Sequence, residues 1–583
     1  MSQSVTLKAV DNNSQQSYPS TTQSNHVDMQ DMNGAQLLVR SLEAAGVKTV
    51  FGYPGGAIMP VYDALYDSQL THILCRHEQG ASLAADGYGR VTGRAGVCMA
   101  TSGPGATNLI TGIANAYMDS VPMLVITGQV PTSVMGTDAF QEVDIFSMTM
   151  AVVKHSYIVR HSEDIPAIVA EALHLAESGR PGPVHIDLPK DVAAFNIERK
   201  RFIPAAPESK LPCRHDDKQA ALNLIRSAKK PLLYIGGGAA IAGIEDECRE
   251  LAKRTGIPAV STLKGLGVLT SETELYLEML GMHGTQAANK AVQESDLLIS
   301  IGVRFDDRAT GNLAGFAPHA KILHLEIDAA EISKLRAVDV ALHGDLNQHF
   351  SLFDELDSQN IEPWREHCRA LKAEYAWRYD YPGEDIYAPY LLKRLTEKAS
   401  DDAILSCDVG QHQMWVAQHC DIKHPTQHLS SSGLGTMGYG LPAAIGAQYA
   451  REDSQVVVVS GDGSIMMNIQ ELATLKRYDL PVKIIVIDNS ALGLVRQWQD
   501  LFFEGRQSEV DLSDNPDFCK VAESFGLLAK RITRADEIEQ GLEFLLNTDE
   551  ACLLHVVIDK NANVWPLVAP GKSNDEMLDE HQY

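Results

Sequence analysis

Val456-Val457-Val458-Val459-Ser460-Gly461-Asp462-Gly463-Ser464, followed by Ile484-Ile485-Val486-Ile487-Asp488-Asn489, decides how this chain folds. Each part is a short apolar run that reads as a buried strand leading into polar residues. Two buried strands ending in an acid and an amide, with 27 positions from Asp462 to Asn489, set hard oxygen ligands side by side at the carboxyl edge of a parallel sheet. That edge is where α/β sheets bind ligands. A carboxylate, an amide oxygen and a backbone carbonyl suit Mg2+, which takes its remaining ligands from water and phosphate oxygens. Alone, Gly-Asp-Gly is also a common turn, and Asp or Asn after a strand often caps a helix, so the rest of the chain has to decide.

The chain has 583 residues, too many for one core, and is expected to divide into about three to five units of ~150 residues. A hydrophobic fraction of 45% with 21% charged residues is ordinary globular composition, and a net charge of −27 argues against a nucleic-acid partner. Nine cysteines without a C-x-x-C pair indicate neither a disulfide framework nor a zinc site, and fit a reducing cytoplasm. No window approaches 18 consecutive apolar residues, so no membrane span is expected. Residues 1–31, rich in Ser, Gln, Asn and Thr, match neither a secretory signal nor an Arg-rich transit peptide and read as a disordered tail.

Ordered sequence begins near Met32, with an amphipathic helix over 34–45 and strands at 49–52, 71–75, 96–100, 123–127 and 184–188. A stretch with Pro204, Pro207 and Pro212 reads as a linker over 196–217. A second block spans 218–350, with strands at 232–235, 297–301 and 322–327, the first leading into Gly236-Gly237-Gly238. Such a glycine run lets backbone amides approach a phosphate, although a tight βα turn needs nothing more. A charged segment over 351–385 reads as a second linker, a third block over 386–560 carries the opening motif, and 561–583 reads as a tail or lid. Alternating strands and helices predict three α/β units with doubly wound parallel sheets, and their similar sizes suggest duplication.

Together with Asn489, Gly461-Asp462-Gly463-Ser464 resembles the signature of thiamine diphosphate (ThDP) enzymes. Glu78, in Arg76-His77-Glu78-Gln79-Gly80-Ala81, then gains a specific reading beside that of a solvated helix-start acid. No side chain reaches the thiazolium carbon that must lose a proton, so the cofactor's own amino group is the base. A carboxylic acid on the pyrimidine N1′ favours the tautomer that does this, best with a raised pKa in a poorly solvated site. Ala81, Leu83, Ala84 and Ala85 are expected to wall that site.

From Met32 to about Pro570 the chain resembles acetohydroxyacid synthase (acetolactate synthase) large catalytic subunits, ThDP- and FAD-containing enzymes that begin branched-chain amino-acid synthesis. The resemblance rests on Tyr53-Pro54-Gly55-Gly56-Ala57, Arg76-His77-Glu78-Gln79, Thr101-Ser102-Gly103-Pro104-Gly105, Phe140-Gln141-Glu142 and Ser178-Gly179-Arg180-Pro181-Gly182-Pro183. It continues through Arg304-Phe305-Asp306-Asp307-Arg308, Gly433-Leu434-Gly435-Thr436-Met437-Gly438, the opening motif and Val495-Arg496-Gln497-Trp498.

The resemblance implies a pyrimidine-binding domain over 32–195, a central FAD domain over 218–350 and a diphosphate-binding domain over 386–560. It implies Mg2+ on Asp462, Asn489 and the carbonyl of Ala491, and ThDP on Glu78, Gln411, His412, Gly435, Met437, Gly461, Gly463 and Ser464. Met437 is the residue expected to wedge under the cofactor, although a lone Met is more often core filler. Arg308 is implied for the second substrate's carboxylate, Trp498 for preferring 2-oxobutyrate over pyruvate as acceptor, and Gly56, Gln141, Lys154 and Lys190 for the pocket's surroundings. Arg180, Gly237, Met282, His283, Gly302, Arg304, Asp307, Asp328 and Asp345 are implied for a structural FAD.

The implied reaction decarboxylates pyruvate and joins the remainder to pyruvate or 2-oxobutyrate, giving 2-acetolactate or 2-aceto-2-hydroxybutyrate. The implied assembly is a homodimer or dimer of dimers with Glu78 and Asp462 of different chains at one cofactor, plus a regulatory small subunit. A flavin-free catabolic acetolactate synthase and a pyruvate oxidase are opposed by the Arg304–Arg308 and Arg496–Trp498 motifs. A non-catalytic FAD scaffold is opposed by intact Glu78, Asp462 and Asn489. Two departures stand out: Asp488, where Asn is more usual before the metal-binding Asn, and the bulky Asn563-Val564-Trp565-Pro566 near the end.

Overall fold

The computed structural model describes residues 32–196, 215–380 and 383–580. The expected tail 1–31, nearly all of the expected linker 196–217, positions 381–382 and the last three residues lie outside the described residues.

Three six-stranded, wholly parallel sheets organise the chain. The first holds β1 (Thr49–Gly52), β2 (Thr71–Leu74), β3 (Gly96–Ala100), β4 (Met123–Gln129), β5 (His155–Ile158) and β6 (Pro183–Pro189), in the order β2-β1-β3-β4-β6-β5. The second holds β7 (Pro231–Ile235), β8 (Ala259–Ser261), β9 (Tyr276–Met279), β10 (Leu297–Ile301), β11 (Lys321–Glu326) and β12 (Val340–His343), in the order β9-β8-β7-β10-β11-β12. The third holds β13 (Ile404–Cys407), β14 (His428–Ser430), β15 (Val456–Gly461), β16 (Lys483–Asp488), β17 (Leu528–Ile532) and β18 (Cys552–Val557), in the order β14-β13-β15-β16-β18-β17. The central strands are buried along their length, as continuous Val and Ile runs require of a sheet covered on both faces.

The outer two sheets share one strand order and the middle one does not, so the duplication expected of all three units narrows to the outer pair. The middle order is that of dinucleotide-binding sheets, with its reversal between β7 and β10. In the outer sheets the order reverses between β1 and β3 and between β13 and β15. A crevice opens at each such reversal, beyond the carboxyl ends of the strands.

The outer units share one core, in which the helix Glu78–Thr92 packs on the helix Gly440–Ala450. Glycines let the backbones touch: a Cβ on Gly446 would stand 1.8 Å from the Ala84 carbonyl oxygen. Ala81, Leu83, Ala84 and Ala85 belong to this interdomain core.

The segment expected as a linker over 351–385 is in part a helix, Glu362–Glu374. Its stripe of Trp364, Cys368 and Leu371 is buried in the middle core, and the Trp364 indole N–H donates to the Pro231 carbonyl at 2.9 Å. The many charges that suggested a linker lie off that stripe, as on any amphipathic helix. The segment expected as a tail also packs: Leu567–Val568 pairs antiparallel with Met577–Leu578, and the side chains of Val564, Leu567 and Asn574 are buried. No helix among the described residues is long and apolar enough to cross a membrane.

Candidate functional site

In the third domain, β15 delivers Asp462 to the start of a short helix, Asp462–Ile465. The side chain is 3% exposed and its Oδ2 has no hydrogen-bond partner among the described residues. Burial, reinforced by the neighbouring Asp488, pushes its pKa up from 3.8 to about 7. A buried carboxylate oxygen left unpaired is costly, and a cation beside it removes the cost. Asn489, beyond β16, donates through Nδ2 to Gln411 Oε1 at 3.0 Å, and its Oδ1 accepts from the Ala491 N–H at 3.2 Å. Gln411 is held in turn by the Ala562 carbonyl at 2.8 Å and Gln497 Oε1 at 3.2 Å. The set of an acid, an amide and nearby backbone carbonyls fits Mg2+.

Asp488 is occupied elsewhere: its Oδ2 lies 2.7 Å from His555 Nε2 and its Oδ1 accepts from the Ser490 N–H at 2.8 Å. Burial works to raise its pKa, but those hydrogen bonds win and hold it below the usual range. His412 is buried with Nε2 unpartnered among the described residues, and burial depresses it to about 3, so the imidazole is neutral. Ser464 Oγ donates to the Val409 carbonyl at 2.6 Å. A Cβ on Gly463 would stand 3.7 Å from the Met437 terminal methyl, so that side chain reaches the opening motif. Gly435 and Gly438, at φ 71° and 85°, bend the loop that carries Met437.

Sequence reasoning missed Asp408, which fixes this loop. It is fully buried after β13; Oδ1 accepts from the Gly438 and Tyr439 N–H groups at 2.8 and 3.2 Å, and Oδ2 from Ser460 Oγ at 2.9 Å. Burial raises it to about 6. The available signal was its position directly after β13, matching that of Asp462 after β15.

In the first domain, Glu78 opens its helix behind His77, whose Nδ1 accepts from the Gln79 N–H at 3.0 Å. Glu78 Oε2 accepts from Asn108 Nδ2 at 3.0 Å, and a Cβ on Gly105 would stand 3.2 Å from Glu78 Oε1. Gly103 packs on Gln141, while the Ala57 N–H donates to Thr101 Oγ1 at 3.1 Å and anchors the loop bearing Gly56. These contacts gather Glu78, Gln141 and Gly56 around the reversal between β1 and β3. Glu471, also missed, reaches across from the third domain: its Oε1 accepts from the Arg76 and His77 N–H groups at 2.9 and 3.1 Å and sets the entry to the Glu78 helix. Lys190 is exposed at the first residue of the helix Lys190–Ala194. Lys154 donates to the Leu175 and Ser178 carbonyls, so its ammonium closes the end of the helix Ile165–Glu177.

In the middle domain, Gly236-Gly237-Gly238 after β7 meets Gly302 after β10. Gly302 has φ 60°, and a Cβ there would stand 2.5 Å from the Gly238 Cα. This side-chain-free cradle at the reversal between β7 and β10 suits a diphosphate. Arg304 Nη1 donates to the Met118 carbonyl at 2.9 Å, and Arg180 pairs with Asp328 at 3.1 Å. Asp345 Oδ1 caps the helix Leu346–His349 through the Asn347 N–H at 3.0 Å. Met282 and His283 follow β9; the Met282 N–H donates to the Arg308 carbonyl at 2.8 Å, and His283 is buried beside the Pro566 carbonyl. The Arg308 side chain is 62% exposed with Asp307 3.7 Å away, which leaves its guanidinium open to a ligand. Trp498, on the helix Gly493–Phe502, packs edge-on against Phe502 with ring centroids 5.7 Å apart. Gly302→Ala should lower stability by about 1–3 kcal/mol, measured by thermal unfolding.

Residues 32–148 match the N-terminal TPP binding domain of thiamine pyrophosphate enzymes, 218–352 their central domain and 408–556 their C-terminal TPP binding domain. The chain is 54% identical to the acetolactate synthase isozyme 2 large subunit of Escherichia coli K12 over 94% of this chain and 100% of that protein. It is 48% identical to the acetolactate synthase large subunit of Parasynechococcus marenigrum, over 94% and 91% of the two chains, and 46% identical to that of Corynebacterium glutamicum, over 94% and 90%. With all three domains matched in order and near half of its residues shared across almost its whole length, the chain belongs to the acetolactate synthase large subunit family of thiamine pyrophosphate enzymes.

Proposed function

We propose that this chain is the catalytic subunit of an acetohydroxyacid synthase, joining two 2-oxo acids with loss of one CO2. The observation that carries this reading is the buried Asp462 Oδ2, unpaired among the described residues and beside Asn489, in a chain that also has Glu78 at the corresponding sheet reversal of its first domain. Asp462, Asn489 and the Ala491 carbonyl would hold Mg2+, and Gln411, His412, Gly461, Gly463 and Ser464 the diphosphate of ThDP. When bound, ThDP supplies the carbanion chemistry that releases CO2 from a 2-oxo acid and joins the remainder to a second carbonyl compound. Glu78 would hold a proton on a carboxyl oxygen toward the pyrimidine ring, while Gly435 and Met437 set the ring's position. Arg308 would fork onto the acceptor's carboxylate, and the Trp498 ring would take its alkyl group. Gln141, Gly56 and Lys190 would border this pocket, and residues 492–506 with the packed C-terminal segment would keep water out.

FAD would sit on the Gly237–Gly302 cradle with Arg304, Arg180, Asp328, Asp345, Met282, His283 and Asp307 around it, in a structural role. The units we assign are 32–195, 218–374 and 386–560, the second extended to include the helix Glu362–Glu374. We further propose a cytoplasmic homodimer, alone or paired into a dimer of dimers. Its relatives' designation as large subunits supports a small-subunit partner. The test is the product made from pyruvate with ThDP and Mg2+: 2-acetolactate is expected, and acetyl phosphate, peroxide or free acetaldehyde as the main product overturns the reading. Trp498→Leu should cut the preference for 2-oxobutyrate over pyruvate by about 10–200-fold, read from competition between the two acceptors.

A further inference from the structure

The carboxyl end of the helix Ile110–Asp119 joins all three domains. From the middle domain, Lys264 Nζ donates to the Asp119 carbonyl at 2.8 Å and Arg304 Nη1 to the Met118 carbonyl at 2.9 Å. Arg180, paired with Asp328, donates through Nε to Ser120 Oγ at 2.8 Å. The cations thus sit where a helix terminus presents unpaired carbonyls and partial negative charge. Lys264 also borders the glycine cradle: a Cβ on Gly237 would stand 2.9 Å from Lys264 Cβ.

On the other side, the Asp119 carboxylate accepts from the Ser432 and Gly433 N–H groups at 3.0 and 2.8 Å, at the root of the loop that carries Gly435 and Met437. One turn earlier, Asn115 Oδ1 accepts from Ser431 Oγ at 2.5 Å and Thr436 Oγ1 at 3.1 Å. Arg90 Nη2 braces Asp119 at 2.8 Å and its Nε reaches Asp86 at 2.6 Å. Burial works to raise the Asp119 carboxyl, but Lys264 and Arg90 bring it down to about 2, so it is ionised throughout the working range.

We propose that Asp119 is a positioning residue through which occupation of the flavin cradle orders the 431–438 loop and so strengthens ThDP binding. An anion in the cradle adds negative charge beside Lys264 and Arg304, whose mutual repulsion across the helix end is otherwise offset in part by Asp119 and Asp86. The helix end is then held from the middle domain, and Asp119 holds the loop. This gives a flavin with no redox role a physical task, and it rests on the cofactor assignment under Proposed function.

The test measures the ThDP dissociation constant, with Mg2+ present, on flavin-free and flavin-loaded protein. Flavin should tighten ThDP binding by about five-fold or more in the wild type, and ThDP should tighten flavin binding by the same factor. Asp119→Asn keeps the shape but replaces one accepting oxygen with a donor, and should bring both factors to within about two-fold of unity. Arg90→Lys, which disturbs the buried ion pair but leaves the Asp119 bonds to the loop, should lower thermal stability and keep the coupling. In the wild type, flavin should slow hydrogen exchange at the Ser432 and Gly433 amides, a readout that needs no variant to fold. A wild type that holds flavin but shows no coupling and no change in exchange overturns this proposal alone. A wild type that holds no flavin overturns the cofactor assignment with it. Coupling that survives in Asp119→Asn removes Asp119 from the role.

Discussion

Glu78→Gln should lower the rate of pyruvate turnover by about 10²–10⁴-fold while leaving the fold and ThDP affinity nearly unchanged. The substituted amide still offers an oxygen to Asn108 Nδ2, so the local hydrogen bond survives and the helix keeps its His77 cap. What is lost is the carboxyl proton on which the proposed role of Glu78 rests. The loss should therefore fall on kcat, with KM for pyruvate moving little. Circular dichroism, a ThDP titration and steady-state kinetics on the same sample separate these contributions. A variant within about three-fold of wild-type kcat would remove Glu78 from the proposed chemistry.

Asp462→Asn should act in two opposite directions. In the metal-free protein the Asp462 carboxyl titrates near 7 instead of 3.8, so the folded state holds a proton that the unfolded chain releases. Stability from this group is fully present below about pH 4 and declines as pH rises toward 7. The shift corresponds to about 4 kcal/mol at most. Asp462→Asn has no such titration, so without Mg2+ at pH 8 it should be more stable than the wild type, by about 1–4 kcal/mol in denaturant unfolding. With Mg2+ and ThDP the order should reverse: the wild type gains stability as Asp462 ionises onto the cation, and the variant gains little because it has lost the anionic ligand. Mg2+ should accordingly stabilise the wild type more at pH 8 than at pH 6. Equal Mg2+-dependent stabilisation of the two proteins would remove Asp462 from the metal site.

The parts of the fold visible in the sequence are those where burial leaves one pattern. β15 and β16 are buried on both faces and read as continuous Val and Ile runs. The edge strands do not: β17 carries exposed Leu528 and Arg531 around a half-buried Lys530, and β14 is three residues long. Their pairing partner, not their composition, makes them strands. The helix Glu362–Glu374 was masked by its charges, although Trp364, Cys368 and Leu371 mark a buried stripe. Asp462 and Asn489 were legible because each directly follows a strand, and Glu78 because it opens a helix shortly after one, within a recognisable motif. Glu471 and Asp119 were not, because their roles lie in distant partners: Glu471 meets Arg76 across 395 positions and Asp119 meets Gly433 across 314. A carboxylate that satisfies backbone N–H groups of another domain carries no local signature.

The central claim is that Asp462 and Glu78 serve one cofactor from two different chains. Neither Glu78→Gln nor Asp462→Asn protein alone should turn over pyruvate appreciably. Coexpressed in equal amounts, half of the dimers carry one chain of each kind. Each of these dimers has one doubly altered site and one intact site, so the mixture should recover about a quarter of wild-type activity. Activity no greater than the mean of the two variants measured separately would contradict a site shared between chains.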